Sequence, residues 1–73
     1  MTERTRVDQI QPGTTFRLIA EWRVDGTDEM VPTTDVLTAF ELTVDGSVVR
    51  IQTEVGTLSV DAEDYVDVVA APS

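Results

Sequence analysis

The chain has 73 residues, with 14 Asp plus Glu against 5 Lys plus Arg and a net charge of −9. It holds no His and no Cys, and all its cations are arginines (Arg4, Arg6, Arg17, Arg23 and Arg50). This inventory excludes disulfides and thiolate zinc sites, and it leaves no imidazole base, thiolate nucleophile or Schiff-base amine for catalysis.

A chain of this length predicts one domain, which buries roughly 60% of its unfolded surface. So small a core leaves little room for an internal catalytic cavity, and the outer surface is where function is expected. No apolar run reaches the roughly 18 residues of a membrane span. The opening MTERTRVDQIQPG lacks the apolar centre of a signal peptide. A cytoplasmic protein is expected, or a virion component if the chain is phage-encoded. The acidic surface argues against direct contact with nucleic acid or anionic membranes.

Residues 1–11 read as an N-terminal arm with a short strand within Arg6 to Ile10. Pro12-Gly13 marks a turn, and residues 12–69 are taken as the single domain. Thr14 to Val24 alternates. Phe16, Leu18, Ala20, Trp22 and Val24 point one way, and Thr15, Arg17, Glu21 and Arg23 the other, with Ile19 the apolar exception. Period two over this length predicts one long half-buried strand. Residues 25–35, DGTDEMVPTTD, read as a wide acidic loop with a short edge strand near Met30-Val31.

LTVDGSVVRI (42–51) sets β-branched runs on either side of Asp45-Gly46, which predicts a hairpin closed by a type I′ turn. In that register Leu42 faces Val49 and Phe40 faces Ile51 on the apolar side, with Val44 beside them. Glu41 faces Arg50 on the other side. A second turn centred on Val55-Gly56 pairs Ile51 with Val60 and Thr53 with Leu58. DAED (61–64) reads as one helical turn capped by Asp61, with acids in its first turn. Tyr65 to Val69 is a closing strand with Val66 and Val68 inward, and 70–73 a tail.

Long strand, wide loop, three-strand meander, helical turn and closing strand together resemble the layout of an SH3-like small β-barrel. The fold class is therefore all-β: a five-stranded SH3-like barrel or open β-sandwich with one short helical turn near residues 61–64. An OB-like barrel is the other arrangement this order allows. PGTTF (12–16) is loosely similar to the PGD opening of KOW-type domains, but the basic residues those use on RNA are missing here. Abundant Asp, Thr and Val without Lys also resembles the proteins of salt-loving archaea and, less strongly, of GC-rich actinobacteria and their phages.

No catalytic residue, metal or cofactor is assigned. Asp61, Glu63, Asp64 and Asp67 crowd together, as do Asp25, Asp28 and Glu29, but neither run matches a calcium loop; a capped turn and a solvated loop explain them. Trp22 reads as core, and Tyr65 as a ring that packs with a wet hydroxyl. Arg17 and Arg23 are explained by pairing with nearby acids, or alternatively by a partner. Ile19, stranded among polar residues, predicts that part of this outer face is covered. The expected function is a non-enzymatic protein–protein interaction module or accessory subunit. Its partner is another protein or a second copy, and the candidate face is Arg17, Ile19, Glu21, Arg23, Asp25, Asp28 and Glu29. The alternatives are an acidic nucleic-acid mimic that inhibits a basic protein, and a structural virion or assembly component.

Overall fold

Two tight turns, at Gly46-Ser47 and Glu54-Val55, and one bend at residues 19–20 decide how the strands meet. The computed structural model describes residues 2–71. Among these residues nine short strands form, β1 (Glu3–Arg6), β2 (Thr15–Leu18), β3 (Trp22–Arg23), β4 (Met30–Val31), β5 (Leu37–Thr38), β6 (Glu41–Asp45), β7 (Val48–Thr53), β8 (Gly56–Asp61) and β9 (Tyr65–Ala70). They make three antiparallel sheets, ordered β1-β9-β2-β5, β3-β4 and β6-β7-β8. The chain is all-β, and its helical content among the described residues is one 3₁₀ turn at Val7–Gln9.

The alternation of 14–24 holds for burial at every expected inward position but Ala20, and it does not hold for continuity. Phe16, Leu18 and Val24 are buried and Trp22 packs partly against them, as period two requires. The strand nevertheless breaks at a bend over residues 19–20, and Ala20 is exposed. Its two halves serve different sheets: β2 pairs with β9 and β5, and β3 pairs with β4. One strand cannot lie flat in two sheets, so the chain turns a corner here.

Residues 25–35 include the short strand expected at Met30-Val31, with Trp22 opposite Val31. The loop before it is a compact hairpin end. The Val24 N–H donates to the Glu29 carbonyl at 2.9 Å, and Thr27 bonds both the Val24 carbonyl and the Glu29 N–H.

The 42–51 hairpin forms one residue further along than its turn chemistry suggested. Asp45 faces Val48, so the loop is Gly46-Ser47; Leu42 meets Ile51 and Val44 meets Val49. Gly46 alone takes a positive φ, 63°. That is the pattern of a type II′ turn with glycine at its first central position, not of type I′. The Glu41–Arg50 pair is thereby replaced. Arg50 faces Thr43 and its Nη1 donates to Asp45 Oδ2 at 3.1 Å.

Phe40 is also corrected. Its N–H donates to the Gln52 carbonyl at 2.7 Å, while Gln52 is the register partner of Glu41. Two residues against one make a β-bulge, which shifts the side-chain phase. Ala39 is therefore buried and Phe40 is 58% exposed.

The second turn closes one residue early, on Glu54-Val55, pairing Ile51 with Leu58 and Val49 with Val60. Thr53 shapes it: its hydroxyl accepts from the Val55 N–H at 3.2 Å and donates to the Gly56 carbonyl at 2.8 Å.

Residues 61–64 form a β-turn closed by Asp64 N–H to the Asp61 carbonyl at 2.9 Å, not a helical turn. Only three residues lie between the end of β8 and the start of β9, enough for one turn bond and nothing to propagate it.

The stretch 1–11 enters the fold. β1 pairs along β9, and the Val7 N–H donates to the Asp64 carbonyl at 2.8 Å. Val7 itself is 1% exposed, in one core with Phe16, Leu37, Val49, Ile51, Leu58 and Val66. At the other end, Ala70 belongs to β9, while the last two residues of the expected tail lie outside the described residues.

Candidate functional site

The outer face of the four-stranded sheet follows from its registers. Arg4 of β1 and Arg17 of β2 both face Asp67 of β9. Side chains directly opposite in antiparallel strands share a face, so these three form one row across the sheet. Arg6 lies two residues beyond Arg4 and faces Tyr65, which puts that pair in the next row of the same face. Arg4 Nε donates to Asp67 Oδ1 at 3.3 Å, and Arg6 Nη2 donates to Asp8 Oδ2 at 2.9 Å. Among the described residues no acceptor bonds the Arg17 guanidinium; its Nε is buried without a partner, as is the Nε of Arg6.

At the edge of this face the bend at residues 19–20 opens a hollow of about 300 Å³ lined by Arg4, Leu18, Ile19, Trp22, Asp64 and Tyr65. Ile19 is 41% and Tyr65 49% exposed. Neither is covered by the described residues of its own chain. The bend removes Ile19 from the pairing of β2, and Tyr65 stands at the first position of β9. Trp22 is held by its indole N–H, which donates to the Ser59 carbonyl at 2.9 Å. Tyr and Trp rings with a polar end suit a surface that is part apolar and part wet.

The residues expected to form one interaction face fall into two groups. Arg17 and Ile19 belong to the face and hollow just described. Arg23, Asp25, Asp28 and Glu29 belong to the β3–β4 hairpin, and Glu21 lies exposed between the two groups. Arg23 faces Met30. Asp25 is occupied twice: its N–H donates to the Thr57 carbonyl at 2.9 Å, and its carboxylate accepts from the Ser59 hydroxyl. The Glu29 carbonyl closes the hairpin. These contacts give the acidic loop a structural task, attaching the hairpin to β8.

Arg4, Arg6 and Asp67 had no signal as site residues until β1 was paired with β9. The alternation of Glu3-Arg4-Thr5-Arg6 and of Tyr65-Val66-Asp67 was visible, but partners more than 55 residues apart in sequence are not.

The face offers guanidinium donors and a phenol beside an apolar hollow. Among the described residues no group of His, Cys, Asp or Glu is placed to hold a metal ion. Among them, too, no helix is long and apolar enough to cross a membrane. No protein-family model, curated protein or solved structure matches the chain.

Proposed function

We propose that the chain is a small non-enzymatic protein-interaction module that binds a partner protein through the outer face of its four-stranded sheet. The observation that carries this reading is the convergence of Ile19 and Tyr65, two large exposed apolar groups, on one hollow of about 300 Å³. That volume is at the small end of the range for ligand pockets, roughly 300–1,000 Å³. It suits one anchoring side chain better than a cofactor. Aromatic anchors ringed by polar groups are what concentrate binding energy at protein interfaces.

We read the scaffold as an SH3-like small barrel. The support is the order of its parts, with a bent first strand, a three-strand meander, a tight turn and a closing strand that returns beside the first. A nucleic-acid mimic needs acids in a row; the row across this face, Arg4–Asp67–Arg17, is mostly arginine, which favours the protein-binding reading.

The test is selection of random displayed peptides against the folded protein, scored on the wild type and on Ile19→Glu. Trp22, the one tryptophan, lines the hollow and reports binding by its fluorescence. Peptides that bind the wild type, shift Trp22 emission and lose at least tenfold in affinity on Ile19→Glu are expected. No enrichment, or peptides indifferent to Ile19, would overturn the reading.

A further inference from the structure

The chain is strongly acidic, yet most of its arginines are gathered on the candidate binding face. Three of its five arginines, Arg4, Arg6 and Arg17, lie on the outer face of the β1–β9–β2 strands. Two carboxylates bond them, Asp67 on Arg4 and Asp8 on Arg6, and a third, Asp64, lines the hollow. Asp67 lies between Arg4 and Arg17 but bonds only Arg4. Arg17 is half-buried and makes no side-chain hydrogen bond or ion pair among the described residues. An Nε–H held against a sheet without an acceptor loses hydration and gains nothing in return. Two such groups, on Arg17 and Arg6, occur on this one face, and they are the only side-chain atoms among the described residues in that condition.

We propose that this face takes an acidic segment of the partner protein, with carboxylates on Arg17 and Arg6 and an apolar side chain in the hollow at Ile19 and Tyr65. The inference rests on the protein-binding reading above and names the partner's chemistry. It reverses the expectation from net charge, under which an acidic protein seeks a basic partner. Charge complementarity is local: the guanidinium fork matches a carboxylate in two parallel hydrogen bonds, and solvent and salt screen the distant acids over about 10 Å at 0.1 M. A nucleic acid would offer anions too, but its closely spaced phosphates would run on past this patch over a surface carrying 14 acids. A short acidic peptide need not.

The same displayed-peptide selection decides it through the net charge of what is enriched. Enriched peptides are expected to be acidic with one large apolar residue. A synthetic copy of one should bind about tenfold more weakly to Arg17→Gln, and more weakly at 0.5 M than at 0.05 M NaCl. Replacing its Glu and Asp by Gln and Asn should cost a similar factor. Backbone NMR shifts on Arg17→Gln establish that the variant is folded, and shifts on the wild type locate the peptide on β1, β9 and β2.

Neutral or basic peptides that bind the hollow and ignore Arg17→Gln would overturn the acidic-partner inference and leave the module reading standing. Failure of every peptide to bind would overturn both. Tighter binding of a single-stranded oligothymidine to the same face than of any acidic peptide would also overturn the inference.

Discussion

A Cβ added to Gly56 would lie 2.7 Å from Cγ1 of Val24. Gly56 also has φ 126°, a conformation that side chains disfavour. The close approach lets the end of β3 settle onto the start of β8, where the Asp25 N–H reaches the Thr57 carbonyl. Gly56→Ala should therefore cost about 3 kcal/mol, from overpacking and backbone strain together. In a Val24→Ala background the overpacking part disappears and the cost should fall to about 1 kcal/mol. Urea unfolding followed by far-UV circular dichroism measures both. Gly46→Ala is the control. Nothing lies within 4 Å of its added Cβ, so only its φ of 63° is strained, at about 1 kcal/mol.

The indole bond from Trp22 to the Ser59 carbonyl is a further tie between the same hairpin and β8. Trp22→Phe keeps a ring against the core and removes the donor. A loss of about 1–2 kcal/mol is expected. Unfolding followed by circular dichroism checks it, since the fluorophore is gone. An unchanged midpoint would mean that water replaces the bond at no cost.

Glu54 guards an edge. Its carboxylate accepts from the Thr38 N–H at 2.7 Å, on the side of β5 that has no neighbouring strand. Open backbone edges invite pairing with other chains. Glu54→Ala should cost about 1 kcal/mol and speed amide exchange at Thr38, whereas Glu54→Gln, which keeps an acceptor, should lose less. Equal exchange in all three proteins would remove the guarding role.

Salt should stabilise this protein. The three ion pairs among the described residues, Arg4–Asp67, Arg6–Asp8 and Arg50–Asp45, are on the surface and worth about 0–1 kcal/mol each. Against them stands the self-repulsion of a −9 net charge. Raising NaCl from 0.05 to 0.5 M screens attraction and repulsion alike. The repulsion is the stronger of the two, so the melting temperature should rise. A fall would mean that the ion pairs outweigh it.

Phe16 and Ile19 contrast a core residue with a surface one three positions away. Phe16 is fully buried, and Phe16→Ala should cost about 3–5 kcal/mol, enough to unfold a domain this small. Ile19→Glu exchanges an exposed group and should stay within about 0.5 kcal/mol. Thermal melts of the two variants separate the roles.

Much of the fold was legible because strand signals are local. The alternation placed Phe16, Leu18 and Val24 inward, and the β-branched runs around residues 42–51 announced a hairpin. Both hairpin registers were displaced by one residue at the turn. Such a displacement moves each partner by two positions and leaves every side chain on its face. The apolar pattern is therefore blind to it, and turn geometry decides: Gly46 leads a type II′ turn, and the Thr53 hydroxyl organises Glu54-Val55. Phe40 was misplaced for a different reason. A bulge opposite Gln52 shifts the phase, and period two cannot announce its own interruption.

By itself the sequence determined an all-β chain without His, Cys or Lys, and which residues of β2, β7, β8 and β9 look inward, though not of β6, where Val44 is exposed. These follow from composition and from a side-chain period that each strand carries within itself. Tertiary structure alone decided that residues 3–6 pair with 65–68, that the long alternating segment breaks at residues 19–20 to serve two sheets, and that Arg4 and Arg17 meet across Asp67. The physical reason is distance along the chain. Hydrogen-bonded neighbours in a sheet are chosen by closing the whole core at once, and a local pattern records the phase of a strand but not its partner.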